Sequence, residues 1–198
     1  PPDASFALRY ADLSTPAPAS AACQASWGPG CRATINYETH IHPLWSVNRQ
    51  VRDGNNVVVA DHSCISCHNV VDGNAAAQVP AAQLDLSSGA SDIRPVYFKS
   101  YVELFFGDNE QELSGGVLRD VLVQVGIDPD TNDPVFAPVP VNPVMSTAGA
   151  LQSSRFFDRF LPGGSHAGWL SGAELRLLAE WVDLGGQYYN NPFDAPLN

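Results

Sequence analysis

Cys64-Ile65-Ser66-Cys67-His68 is the densest run of chemically capable side chains in this 198-residue sequence. Two cysteines three apart on one helical turn present their sulfurs along a common edge, and the next residue projects its imidazole toward the same side. Such a turn suits covalent haem attachment, with each sulfur in a thioether to a porphyrin vinyl group and His68 as the proximal axial ligand. A single motif of this kind means one haem c. Three other chemistries use the same residues. A redox dithiol wants a strand before the motif and a long helix after it; Val57-Val58-Val59 could supply the strand, but Asn69 to Gln78 soon becomes polar and small. A zinc site would join both cysteines to two of His40, His42 and His62. A disulfide within the motif is strained at so short a separation.

A haem iron held by His68 alone is open to gases and peroxide, whereas a second strong ligand makes it an electron carrier. The sequence has one methionine, Met145, and four further histidines. In a cytochrome c arrangement the distal ligand comes from the loop entering the last helix. That loop is 161–170 here and contains His166, five residues before Ser171. Met145 precedes the penultimate helix, yet Pro143-Val144-Met145 resembles a proline-flanked methionine ligand, so it stands as the alternative. His40 could instead hydrogen-bond a haem propionate, His42 precedes a proline, and His62 lies too close to Cys64 for the backbone to bring it round to the iron. The plainer readings are an exposed loop histidine at 166 and ordinary core filling by Met145.

The other cysteines, Cys23 and Cys31, flank a turn-rich segment and are expected to form a disulfide that pins the N-terminal arm. Covalent haem and a disulfide both imply a compartment outside the cytoplasm: periplasmic, secreted or cell-surface. The net charge of −11 makes nucleic acid and anionic membranes poor partners. No apolar run reaches the roughly 18 residues that cross a bilayer. The sequence opens at Pro1 without a charged and apolar leader, as expected of a mature chain or a piece of a longer protein.

The elements that must position these residues are short. Apolar residues make up 44% and charged residues only 16%, with Gly and Pro contributing 16 each, which describes a loop-rich globular chain. Residues 1–34 are expected to be an extended arm and 35–198 a haem domain. Ile35 to Trp45 predicts a short helix interrupted near Pro43. Val96 to Phe106 leans to helix, with Tyr97, Tyr101 and Leu104 at helical spacing. Val117 to Val141 reads as a β-hairpin turning at Asp128–Pro134, with prolines that suit an edge strand. That turn has acids at 128, 130 and 133 but lacks the glycine and distal glutamate of an EF-hand, so a plain turn is the better reading. Two helices follow, one over about 148–160 capped by Ser146 or Thr147, the other opened by the capping box Ser171-Gly-Ala-Glu174 and closed by Gly185-Gly186. The fold class expected is mainly α: a cytochrome c-like helical domain around one haem, with a β-hairpin insertion and a loop-rich N-terminal arm.

Ile35-Asn-Tyr-Glu-Thr-His40-Ile-His42-Pro43-Leu-Trp45 followed by Cys64-x-x-Cys67-His68 resembles the entry to the haem domain of hydrazine synthase alpha-subunit-like proteins, and more loosely planctomycete-type cytochrome c domains. His166-Ala-Gly-Trp-Leu-Ser171 through Glu180-Trp181-Val-Asp183 to Tyr189 is similar to that family's closing helix. The resemblance spans roughly residues 35 to 190 and implies a haem held by two histidines, His68 and His166. It implies nothing about hydrazine chemistry, which needs another haem and further domains.

Together these features predict one-electron transfer by a six-coordinate haem, not an enzyme. The expected partner is a redox protein or neighbouring haem domain, and an acidic surface favours one with a basic docking patch. The alternative is a haem enzyme or a gas or peroxide sensor whose distal ligand leaves; a third reading makes the haem a structural nucleus for the fold.

Overall fold

The structure, a computed structural model, describes residue 10 and residues 12–191; the first nine residues of the expected N-terminal arm lie outside that range. Its helices are α1 (Ala21–Ala25), α2 (His42–Trp45), α3 (Cys64–Cys67), α4 (Lys99–Phe105), α5 (Ser154–Phe157) and α6 (Gly172–Asp183). The strands begin with β1 (Gln50–Arg52), β2 (Val58–Asp61), β3 (Asp108–Asn109) and β4 (Gln111–Ser114). They continue with β5 (Val117–Asp120), β6 (Leu122–Ile127), β7 (Pro134–Pro138) and β8 (Pro140–Val141). All pairings are antiparallel and two-stranded: β1 with β2, β3 with β8, β4 with β5, β6 with β7. No helix among the described residues is long and apolar enough to cross a membrane.

The mainly α, cytochrome c-like expectation is overturned. Only 28% of the structure is helical, 19% is strand, and the strands form several small sheets. Local sequence explains the difference. The expected helix over 148–160 breaks into a 3₁₀ turn (Ala150–Ser153), the four residues of α5, and a second 3₁₀ turn (Asp158–Phe160). The Ser153 hydroxyl donates to the carbonyls of Gly149 and Ser146 and accepts from the Ser146 N–H, a local network that competes with a regular helical start. The single expected hairpin is in fact two plus a closing pair. Gly115 and Gly116, both left-handed, turn β4 into β5 as a two-residue loop requires.

The described chain divides into two compact units. The first combines the residues up to Arg49 with those from Met145 onward. Its core sets α6 against the segment from Ile35 to Trp45. Leu177, Leu178, Trp181 and Val182 are buried on one face of α6; Ile35, Tyr37, Ile41, Leu44 and Trp45 are buried with them. The Tyr37 ring lies 5.4 Å from both Trp181 and Tyr188, and Trp45 Nε1 donates to the Tyr37 hydroxyl at 3.1 Å. Helix α6 starts as expected: Ser171 Oγ accepts from the Glu174 N–H while the Glu174 carboxylate accepts from the Ser171 N–H. It ends in a Schellman motif, Gly186 N–H to Trp181 O and Gly185 N–H to Val182 O, with both glycines left-handed. The interruption expected near Pro43 is a π-helical turn (Tyr37–Ile41) that passes directly into α2.

Within this unit Cys23 and Cys31 are joined by a disulfide, as expected. Closing an eight-residue separation should stabilise the folded chain by about 2.5 kcal/mol, through the entropy it removes from the unfolded one. Changing both cysteines to serine is therefore expected to lower the unfolding free energy by about that amount, read from chemical denaturation followed by circular dichroism.

The second unit is the continuous segment Gln50–Val144. It opens with the β1–β2 hairpin and α3. Helix α4 then leads into β3, and β8 returns to pair with β3 after the two hairpins between them. Backbone bonds from Glu110 N–H to Val139 O, Val121 N–H to Glu110 O and Val139 N–H to Val121 O tie the hairpin bases together. The β6–β7 turn is the one expected, with Asp128 Oδ1 accepting from the Asp130 and Thr131 amides, as in an Asx turn rather than a cation loop. Leu84, Leu86, Tyr101, Val102 and Leu104 are this unit's buried apolar residues.

Candidate functional site

The Cys64–His68 motif lies in the second unit, directly after β2. Asp61, the last residue of β2, accepts the Ser63 N–H at 2.8 Å and so bends the chain into α3. Hydrogen bonds from the Ser63 hydroxyl and amide hold the Asp61 carboxyl below its usual range. The turn is then closed by Ser66 N–H and Oγ–H donating to Ser63 O and by His68 N–H donating to Cys64 O at 2.9 Å. None of the four residues of α3 is buried; Cys64 is half-buried, Cys67 exposed, and both are thiols.

His68 is fixed from the far side of the sequence. Its Nδ1 lies 3.2 Å from the Leu84 carbonyl oxygen, and its own carbonyl accepts the Leu86 N–H at 2.9 Å. An Nδ1–H bonded to a backbone carbonyl selects the tautomer in which Nε2 carries the lone pair, and it orients the ring toward a metal on that side. The strand-like stretch 84–86 is held in turn by strained backbone. Ala82 and Gln83 both adopt left-handed φ, 54° and 60°, a conformation that costs of order 1 kcal/mol or more at each non-glycine residue. Gln83 offsets it by pairing with the edge of β4. Its Nε2 donates to Gln111 O and its Oε1 accepts from Gln111 N–H.

These residues fit a c-type haem on the proximal side: two thiols on one exposed turn and an imidazole with its Nδ1 anchored. They fit the rival chemistries less well. A dithiol oxidoreductase needs a long helix after the motif, and α3 is four residues followed by irregular chain. No group of three or more His, Cys, Asp or Glu able to hold a metal ion gathers among the described residues, so a four-ligand zinc set has no counterpart there.

Of the remaining expected ligands, all but His62 lie in the first unit. His166 is half-buried in the 161–170 loop, its N–H donating to Arg159 O at 2.8 Å and its Nδ1 2.8 Å from Ser165 Oγ. A Cβ on Gly164 would collide with the Asp158 and Arg159 carbonyls, so the loop carrying His166 requires glycine there. The His166 ring sits 4.4 Å edge-on from Trp169 and 5.6 Å from Phe160. Burial and the nearby Arg159 charge hold its pKa below the ordinary histidine value, which favours a neutral, ligation-competent ring at physiological pH. Met145 is buried in this unit. His40 and His42 are also shifted down by burial. The Asn36 N–H donates to His40 Nδ1, and Glu38 partly offsets the shift at His42. His62 lies between β2 and α3.

What sequence reasoning missed is a set of carboxyls sharing one cleft of the second unit. Glu103 on α4, Asp108 on β3 and Asp85 line a cleft of about 270 Å³ in the second unit. Burial, then the charge and hydrogen bond of Asp108, push Glu103 up to about 8. The buried Asp85 carboxylate is held by Lys99 at 3.3 Å. No protein family, characterised protein or solved structure matches the chain.

Proposed function

We propose that the Cys64–His68 turn carries one covalent haem and that the protein transfers single electrons in an oxidising compartment outside the cytoplasm. The observation that carries this reading is the His68 Nδ1 bond to the Leu84 carbonyl, which gives the imidazole after the two thiols the fixed tautomer and direction of an axial ligand. Attachment adds each S–H across a vinyl C=C, so Cys64 and Cys67 become thioethers without any oxidant. The haem supplies the redox couple; this chain's residues anchor it, orient its proximal ligand and set the surrounding charge. The Cys23–Cys31 disulfide supports the compartment, and the −11 net charge supports a redox partner with a basic docking face.

The test is an absorption spectrum, oxidised and reduced, of protein produced with a c-type maturation system. Covalent haem with sharp reduced bands and no carbon monoxide binding is the expected result. A weak long-wavelength iron–sulfur band would assign methionine as the second ligand, and its absence would assign nitrogen. A chain without covalent haem overturns the reading. Rapid carbon monoxide binding would replace electron transfer by a sensor or enzyme. Electron exchange with a basic partner should slow as salt rises, because screening weakens the encounter.

A further inference from the structure

The β6–β7 hairpin leaves one of its edges unguarded. A strand edge is a template for a further strand, and proteins blunt it with charge, proline or a bulge. Among the described strands β1 carries Arg52, β2 Asp61, β3 Asp108, β4 Glu112, and β5 Arg119 and Asp120. Pro134 and Pro138 guard β7, and Pro140 guards β8. The longest strand, β6 at six residues, has neither a charge nor a proline. Its bulge falls between Gln124 and Gly126 and leaves Leu122, Val123 and Gln124 as regular ladder.

Backbone alternation determines which groups this edge offers. Val139 N–H donates to the Val121 carbonyl, and Leu122 faces Pro138, which has no N–H. Positions 121 and 123 therefore turn their polar groups toward β7, and those of Leu122 and Gln124 point away from it. Among the described residues β6 pairs with β7 alone, so no strand continues the sheet on that side. The surrounding side chains are apolar and open to solvent: Leu122, Val123, Val125 and Ile127 are 45–61% exposed, and Phe136 on β7 is 54% exposed.

We propose that β6 is a self-association edge, at which two copies of this chain pair β6 against β6 about a two-fold axis at Val123. The two hairpins then form one antiparallel sheet. In this register Leu122 of each copy faces Gln124 of the other, and their outward N–H and C=O groups satisfy one another. Val123 meets its own counterpart on the axis as a non-hydrogen-bonded pair, the arrangement that brings side chains closest. Charge selects a second copy as the occupant. Each copy carries −11, so two copies repel wherever their acidic surfaces meet. Residues 121–127 and 134–144 contain no charged side chain, so along this hairpin two such copies can approach. Asp128, Asp130 and Asp133 sit at the hairpin tip, and the two-fold sends the two tips to opposite ends. A partner with a basic face finds no acid to engage along β6. The contact is small, on the order of 800 Å² in total against about 1,200 Å² for a stable complex, so the dimer is weak and reversible. This proposal does not depend on the haem reading.

The experiment is sedimentation velocity of the full chain at rising concentration. A contact of this size should populate the dimer at about 0.1–1 mM. The dimer fraction should rise with salt, because screening weakens the repulsion between two −11 copies. Val123→Lys sets two ammonium groups against each other on the axis and should weaken association by about tenfold or more. Val135→Lys adds the same charge on β7, away from the edge, at a side chain 42% exposed, and should leave association within about twofold of wild type. In the wild type, the Leu122 and Gln124 amides should exchange more slowly as concentration rises, while the Ile127 amide beyond the bulge keeps its rate. A chain that stays monomeric through about 1 mM overturns the proposal. So does a dimer whose Leu122 and Gln124 amides exchange as fast as in the monomer, or one that Val135→Lys disrupts as strongly as Val123→Lys.

Discussion

Cys64→Ala together with Cys67→Ala is expected to leave the chain unable to retain haem in acidified organic solvent, whereas the wild type should keep it. The effect is all-or-none because it counts covalent bonds. A haem held only by His68 is coordinated and leaves when acid protonates the imidazole; a thioether survives that treatment. Each single variant should keep one thioether. The remaining vinyl group then stays conjugated with the porphyrin and shifts the reduced band to longer wavelength. Folding should not obscure the result, since α3 contributes no buried residue. Mass spectrometry of the intact chain provides the check. A double variant still carrying haem covalently would move the attachment site elsewhere.

Arg49→Ala should destabilise the first unit by about 3 kcal/mol or more, the usual cost of leaving one member of a buried ion pair alone. Arg49 Nη2 lies 2.7 Å from Glu174 Oε1, with the two side chains only 10% and 4% exposed. The guanidinium also donates to the Leu44 carbonyl at 2.8 Å, so its loss strips a carbonyl at the end of α2 as well. Glu174 is committed on two further counts, closing the capping box at Ser171 and accepting from Ser14 Oγ at 3.2 Å. Removing its partner leaves a carboxylate that cannot leave for solvent without opening the start of α6. A loss of this size lowers the melting temperature by roughly 10–20 °C for a unit of about this length. The paired replacement Arg49→Met with Glu174→Met should recover much of it, because a buried pair exchanged for apolar volume is often neutral. A thermal melt of Arg49→Ala within 2 °C of wild type would show the pair to be dispensable.

The parts of this molecule that could be read from sequence are those with local signatures. Ser171 and Glu174 mark a helix start because both partners of the reciprocal bond lie within four residues. Gly185-Gly186 marks its end because only glycine readily takes two successive left-handed steps. The Asp128–Pro134 turn and the Cys23–Cys31 bridge are local in the same sense. The mainly α expectation failed where a motif was allowed to bring a whole fold with it, since the Cys64–His68 turn needs only five residues and a carbonyl. The β4–β5 hairpin had a signal, Gly115-Gly116 between Leu113 and Val117, that lay just outside the hairpin expected over Val117 to Val141. The anchor of His68 had none. A backbone carbonyl sixteen residues away carries no side-chain identity, and Glu103 resembles any helix glutamate until Asp85 and Asp108 line one cleft with it.

All four tryptophans, at 27, 45, 169 and 181, belong to the first unit, and two of them are among its most deeply buried side chains. The second unit contains none. Indole fluorescence therefore watches one half of this protein and is blind to the other, without any label. A shift in emission from buried to wet indole reports loss of packing in the first unit alone, that of Trp45 and Trp181 above all. Amide exchange across residues 50–144 reports the haem-motif half separately. The order in which the two signals are lost under denaturant gives the relative stability of the two units in a single unmodified sample.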